Sequence, residues 1–128
     1  MAKKKEKQIT EYLPLTESSY YILLTLTKPL HGYAMMQEIE ALSKGAVTIG
    51  PGTLYGALST MEQEGLIKMV REEGRRKEYL LTPKGAAVLL EQIKRFETML
   101  ENGSNIKAML KSLKKEYEET NGRNNQEN

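Results

Sequence analysis

The chain of 128 residues is long enough for one domain and an appendage, and its 19 basic and 17 acidic side chains leave a net charge of +2. It contains no cysteine, no aspartate and a single histidine, so disulfide scaffolds, thiolate metal sites, catalytic triads and aspartate-held magnesium sites lack most of their parts. No apolar run approaches the roughly 20 residues that a membrane span needs. The composition therefore predicts a cytoplasmic protein that is not an enzyme, has no membrane segment and binds neither metal nor cofactor.

The first part of the chain predicts a basic arm and two helices. Residues 1–8 hold four lysines and one glutamate. The first helix is predicted to begin after Thr16, whose hydroxyl can cap it, and to end before Pro29, because the residue preceding a proline is displaced from the helical region. The second helix follows His31, which we interpret as a turn residue in preference to a ligand, and closes at Gly45.

A third helix is predicted from an N-cap at Thr53 to a stop at Gly65, with Leu54, Leu58 and Met61 on its buried side. The side chains on its outer face are small and polar, as a helix that enters the major groove of DNA requires. Glutamine can pair with adenine, and serine or threonine can contact several bases. The alternative interpretation of Tyr55 is that its side chain covers the edge of the core and does not contact DNA. The residues predicted to contact DNA from this helix are Thr53, Tyr55, Ser59, Thr60 and Gln63.

Two apolar-rich segments, 66–71 and 77–81, flank the turn Glu72-Glu73-Gly74-Arg75-Arg76 and predict a β-hairpin with glycine at its turn. Thr82 then caps a long helix whose first residue is Pro83. Three helices followed by a basic hairpin predict a mainly α winged helix-turn-helix, a module that reads duplex DNA. The alternative interpretation of Arg75, Arg76 and Lys77 is that they form a solvated turn and do not bind DNA. The residues predicted to meet phosphates or the minor groove are Lys68, Arg71, Arg75, Arg76 and Lys77.

The long helix carries an apolar seam whose members are spaced four, three and four residues apart, as in a coiled coil. A further amphipathic stretch runs from Ile106 to Tyr117, and the sequence leaves open whether Gly103 breaks the helix between them. Because a monomer could not easily hide such a seam, it predicts a homodimer. The predicted interface residues are Leu89, Ile93, Phe96, Leu100, Met109 and Leu113.

Four segments follow from these patterns. They are a basic N-terminal arm (1–10), a winged helix-turn-helix DNA-binding domain (11–84), a C-terminal dimerisation helix region (85–119) and a tail (120–128). The tail contains no apolar residue and is expected to be disordered.

An ordered set of motifs over roughly residues 12 to 100 resembles the PadR family of bacterial and archaeal transcriptional regulators. The motifs are His31-Gly32-Tyr33, Gly52-Thr53-Leu54-Tyr55 with Ala57-Leu58, Glu62-Gln63-Glu64-Gly65-Leu66-Ile67, and Arg75-Arg76-Lys77-Glu78-Tyr79 leading to Leu81-Thr82-Pro83-Lys84-Gly85. Two departures stand out: Gly56 replaces a proline that is common in the family, and Ser59 and Thr60 replace residues that are commonly basic.

The resemblance implies a winged helix-turn-helix of the short subfamily, which dimerises through one C-terminal helix region. It also implies a repressor that binds inverted repeats and that a small hydrophobic or aromatic effector relieves, as phenolic acids or drugs do in some members. By position, Phe96 corresponds to an aromatic residue that lines an effector pocket at the dimer interface in drug-responsive members, and Met99 lies beside it. For Phe96, plain packing is the alternative interpretation.

Two other functions remain open at this point. The first is a winged-helix module that binds protein, which the absence of lysine and arginine from the third helix favours and the basic hairpin opposes. The second is a small enzyme that uses glutamates, which the lack of aspartate, cysteine and a second histidine opposes.

Overall fold

The computed structural model describes residues 6–127, with side chains as far as residue 123. The first half of the predicted basic arm and the final residue therefore lie outside the described residues. The chain divides into two compact units, one ending at Ile93 and the other beginning at Lys94. The elements in chain order are a 3-10 helix (Ile9–Tyr12), α1 (Glu17–Thr25), β1 (Leu30–His31), α2 (Gly32–Leu42), α3 (Pro51–Gln63), β2 (Ile67–Glu73), β3 (Arg76–Leu81), α4 (Pro83–Asn105) and α5 (Lys107–Glu127).

Side-chain caps fix the starts of three helices. The Thr16 hydroxyl accepts a hydrogen bond from the Ser19 amide at 3.1 Å, which confirms its predicted role. Thr82 accepts one from the amide of Gly85 at 3.1 Å at the start of α4, also as predicted. His31 is the N-cap of α2, because its Nδ1 accepts from the Ala34 amide at 3.3 Å.

The predicted N-cap of α3 is wrong. The helix begins two residues before Thr53, at Pro51, and Gly50 is its N-cap. Proline is well suited to the first helical position, because it has no amide hydrogen to leave unpaired and its φ is already helical. Thr53 therefore lies inside the first turn, with its side chain exposed.

The sheet is antiparallel with strand order β1–β3–β2. The predicted hairpin of β2 and β3, which we call the wing, is confirmed and is longer than expected. Its two-residue loop begins with Gly74 at φ +62°, a conformation that glycine adopts without strain. The short β1 was not predicted, and its pairing of Leu30 with Tyr79 ties the start of α2 to the wing.

The core of the first unit lies between α1, α2, α3 and the start of α4. Leu89, predicted at a dimer interface, is only 6% exposed and belongs to this core, and Ile93 is half-buried against it. The first turns of α4 pack inside the first unit, so Leu89 keeps almost no surface for a partner chain, whereas Ile93 remains partly exposed and its place in a dimer interface stays a prediction. The fully buried core side chains include Ile22, Leu23, Leu26, Met35, Ile39, Leu54, Leu58, Ile67 and Val88.

Gly103 lies inside α4, and the helix ends two residues later, at Asn105. The structure also places helix where the sequence predicted a disordered tail, because α5 continues to Glu127. Threonine, asparagine and glycine in this segment are weak helix formers, so the continuation of α5 is attributed to elongation of an existing helix, which is far easier than nucleation.

Candidate nucleic-acid interface

An open groove of about 680 Å³ lies where α3, the start of α2 and the wing meet. We call it the α3–wing groove. It combines aromatic, basic and acidic side chains from segments that are far apart in sequence. Its lining residues are His31, Gly32, Tyr33, Tyr55, Ser59, Glu62, Arg75, Arg76, Lys77 and Tyr79.

The α3 side of the groove is built from Tyr55, Ser59 and Glu62, which share one side of the helix because they are spaced four and three residues apart. Tyr55 is 54% exposed, so the core covers less than half of it. Its ring lies against Gly32: a Cβ atom there would be 2.7 Å from the Tyr55 hydroxyl oxygen and 3.0 Å from ring carbons. Glycine at position 32 therefore allows the tyrosine to occupy this orientation.

The wing contributes Arg75, Arg76 and Lys77, all of them exposed. Within the described part of the chain, none of the three forms a salt bridge. By contrast, Arg71 pairs with Glu73 at 3.1 Å, and it lines a separate small cleft with Arg76 and Glu78. The groove thus presents three cations that no ion pair with a described side chain neutralises.

Only half of the residues predicted to contact DNA meet in this groove. Thr53, Gln63 and Lys68 are exposed but do not line it. Thr60 lies on the other flank of α3, where its hydroxyl donates to the Gly56 carbonyl at 3.2 Å. The predicted residues that meet in the groove are Tyr55, Ser59, Arg75, Arg76 and Lys77.

The sequence interpretation missed four lining side chains. Glu62 could have been found, because it lies seven residues after Tyr55 and therefore on the same side of the helix. Tyr33 and Tyr79 carried no such signal, because their meeting depends on the pairing of β1 with β3. His31 was predicted as a turn residue, but it ends β1 and caps α2, and its position beside the groove was not foreseen.

Tyr79 forms part of the groove with a hydroxyl that stays protonated. Burial raises the pKa of this phenol, and the nearby carboxylates of Glu62 and Glu72 and the phenol of Tyr55 raise it further. A neutral tyrosine remains a hydrogen-bond donor as well as an acceptor.

Gly56 is an exposed residue of α3 outside the α3–wing groove, and the structure does not require glycine there. A Cβ atom there would meet open space, and its φ is not positive. An exposed glycine inside a helix costs about 1 kcal/mol relative to alanine. The fold itself therefore does not account for this residue.

A second cluster, which we call the Tyr12 anchor, holds the N-terminal segment against the end of α3. The Tyr12 hydroxyl donates to Glu64 Oε2 at 3.0 Å, and the ammonium groups of Lys7 and Lys84 lie 5.3 Å and 5.2 Å from the centre of its ring. Lys84 also pairs with Glu6 at 3.3 Å and donates to the Glu64 carbonyl at 2.9 Å. The pKa of the Lys84 ammonium group is raised, chiefly by a hydrogen bond with Tyr12. Partial desolvation lowers this pKa, and the hydrogen bond and charge of Glu6 raise it further.

Among the side chains that the structure describes, residues 6–123, no three histidine or glutamate side chains converge on a position that could hold a metal ion. No helix within residues 6–127 is long and apolar enough to cross a bilayer.

Residues 21–91 match the model of the "Transcriptional regulator PadR-like family". The chain is 37% identical over 71 residues to the transcriptional regulator YqjI of Escherichia coli K12, a match that covers 56% of this chain and 34% of that protein. It is 44% identical over 61 residues to an uncharacterized 37.1 kDa protein in transposon TN4556 of Streptomyces fradiae, covering 48% of this chain and 17% of that protein. The chain thus spans about a third of the length of the first relative and about a sixth of the length of the second.

Solved structures share the fold. A transcriptional regulator from Clostridium thermocellum is 25% identical, with a TM-score of 0.60 over 76% of this chain and 94% of that one. A PadR-like transcription factor from Bacteroides fragilis is 28% identical, with a TM-score of 0.58 over 70% of this chain and 88% of that one.

Proposed function

The chain belongs to the PadR-like family of transcriptional regulators, and from that premise we propose that it is a repressor that binds an inverted-repeat operator as a homodimer. The observation that carries the proposal is the α3–wing groove, which brings the polar side of α3 together with three cations that form no salt bridge with any described residue. Such a surface suits a polyanion that also presents hydrogen-bonding groups.

The two walls of the groove have different proposed roles. Tyr55 and Ser59 face base edges, where hydroxyl groups can donate to or accept from either strand. The cations of the wing bind phosphates, which position the protein but carry no sequence information. In this proposal Thr53, Thr60, Gln63, Lys68 and Arg71 make flanking contacts to the same duplex.

The dimer is supported by the exposed apolar side chains of the second unit. Leu100 is 71% exposed, and Met109 and Leu113 are also more than half exposed. A row of this kind is costly to leave in water. A two-fold dimer would place its α3 helices in successive major grooves, about 10 bp apart or a small multiple of that distance.

Introducing a charge into this row is expected to dissociate the dimer. Leu100→Glu should shift the molar mass measured by light scattering from that of two chains toward that of one, because the carboxylate would be desolvated in the interface. Thr98→Glu, on another face of α4, adds the same charge and should leave the mass unchanged. A wild-type chain that is monomeric at micromolar concentration would contradict the proposal.

Regulation is proposed to act through Phe96 and Met99, which lie close together on the exposed part of α4. A small hydrophobic or aromatic molecule bound there would favour one spacing of the two wings. It can do so only to the extent that it binds the two spacings with different affinity. Operator affinity that stays constant across a panel of planar aromatic compounds would argue against this step.

The experiment that tests the central proposal is fluorescence anisotropy with the duplex upstream of the protein's own gene, compared with a scrambled duplex at low and near-physiological salt. Tight binding that distinguishes the two duplexes is expected. Equal, salt-sensitive binding to both would indicate a non-specific DNA-binding protein. No binding to either would favour the winged-helix protein-interaction module.

A further inference from the structure

Glu62 is an exposed carboxylate whose position the fold does not explain. It lies in the last turn of α3, where the helix dipole disfavours negative charge. Within residues 6–127 it forms no salt bridge, although Arg75, Arg76 and Lys77 line the same groove. Neither helix stability nor ion pairing therefore accounts for a glutamate at this position.

Glu64, two residues later, shows the contrast. Its carboxylate accepts a hydrogen bond from Tyr12 and lies 3.6 Å from the ammonium group of Lys7, so it has a clear structural role in the Tyr12 anchor. Glu62 instead faces the α3–wing groove on the same side of the helix as Tyr55 and Ser59. Of these two acidic residues at the end of α3, only Glu62 is directed at the surface proposed to meet DNA.

A carboxylate on that surface has a definite electrostatic consequence. The phosphates of any duplex repel it, so it weakens binding to DNA in general. That loss is offset only where the carboxylate meets a hydrogen-bond donor. In the major groove the donors are the exocyclic amino groups of cytosine and adenine, whereas guanine and thymine present acceptor oxygens that repel a carboxylate.

We propose that Glu62 is a specificity-determining residue that accepts a hydrogen bond from the exocyclic amino group of one base in each half-site, cytosine N4 or adenine N6. The inference rests on the proposed function, since it assigns a base class to one residue of the same groove. It also gives a physical role to the acidic character of a recognition helix that contains neither lysine nor arginine.

The test is selection of bound duplexes from a randomised pool by wild type, Glu62→Ala, Glu62→Gln and Glu40→Ala. Wild type should enrich an amino-bearing base at one fixed position of each half-site and discriminate against guanine or thymine there by roughly 5- to 150-fold. Glu62→Ala should lose this preference. Glu62→Gln should move it toward adenine, which a glutamine amide pairs with in two places.

Matched duplexes that carry cytosine or adenine at the selected position then identify which amino group is bound. Glu40 is an exposed carboxylate on α2 outside the groove, so Glu40→Ala removes the same charge and should retain the wild-type preference. Unchanged thermal melting of each variant shows that the fold is intact.

One outcome overturns the inference while sparing the proposed function. If Glu62→Ala binds every duplex more tightly by the same factor and keeps the wild-type preference, the carboxylate only repels DNA and reads no base. Failure of wild type to bind any duplex would overturn the proposed function, and this inference with it.

Discussion

Replacing Gly85 with alanine is expected to destabilise the protein by about 3 kcal/mol, the upper end of the range for a side chain forced into a packed interior. Gly85 is buried in the first turn of α4. A Cβ atom there would overlap the main-chain carbonyl oxygen of Leu66 and lie 2.7 Å from Leu81 Cδ1. The carbonyl cannot withdraw freely, because it accepts a hydrogen bond from the Thr82 amide at 3.0 Å. Urea or thermal unfolding followed by circular dichroism would measure the loss.

The same helix provides the matched control. Gly103 also lies inside α4, but a Cβ atom there would meet open space. Gly103→Ala is therefore expected to stabilise the chain by about 1 kcal/mol through helix propensity alone. Equal effects of the two substitutions would contradict the close contact between α4 and the main chain at Leu66.

The double variant Arg75→Ala/Arg76→Ala is expected to weaken operator binding by about two orders of magnitude at low salt, because each dimer would lose four phosphate contacts. The slope of log affinity against log salt concentration should become shallower by about two for each protomer. Folding should be unaffected to within about 0.5 kcal/mol, since both side chains are exposed and neither forms a salt bridge among the described residues. Anisotropy titrations over a range of salt concentrations would measure both quantities.

Ser59→Ala separates the two proposed walls of the groove. It removes a hydroxyl from the α3 wall without changing charge, so it should alter preference among sequences and leave the salt dependence as it was. If Ser59→Ala and the double arginine variant change binding in the same way, the division into base-reading and phosphate-binding residues is wrong.

Local signals were sufficient to predict most of the helices and the wing. The caps at Thr16 and Thr82 act through hydrogen bonds to residues only three positions away, so the sequence contains everything they need. The start of α3 was misplaced because two local signals competed, and Pro51 at the first helical position prevailed over Thr53 as a cap.

Features that depend on distant segments could not be predicted in this way. The spacing of the seam on α4 shows that Leu89 is buried, but it does not show whether the covering surface belongs to the same chain. In the same way, the groove needs the pairing of β1 with β3 to bring Tyr33 and Tyr79 together, and a strand of two residues leaves no periodicity to recognise.

The open position at Gly56 has a consequence for engineering. A Cβ atom there meets open space and alanine is a better helix former than glycine, so the fold is expected to tolerate Gly56→Ala. Because Gly56 does not line the α3–wing groove, an alanine there changes the stability of the helix without altering the side chains proposed to contact DNA. The position therefore offers a place to stiffen α3 independently of its groove side.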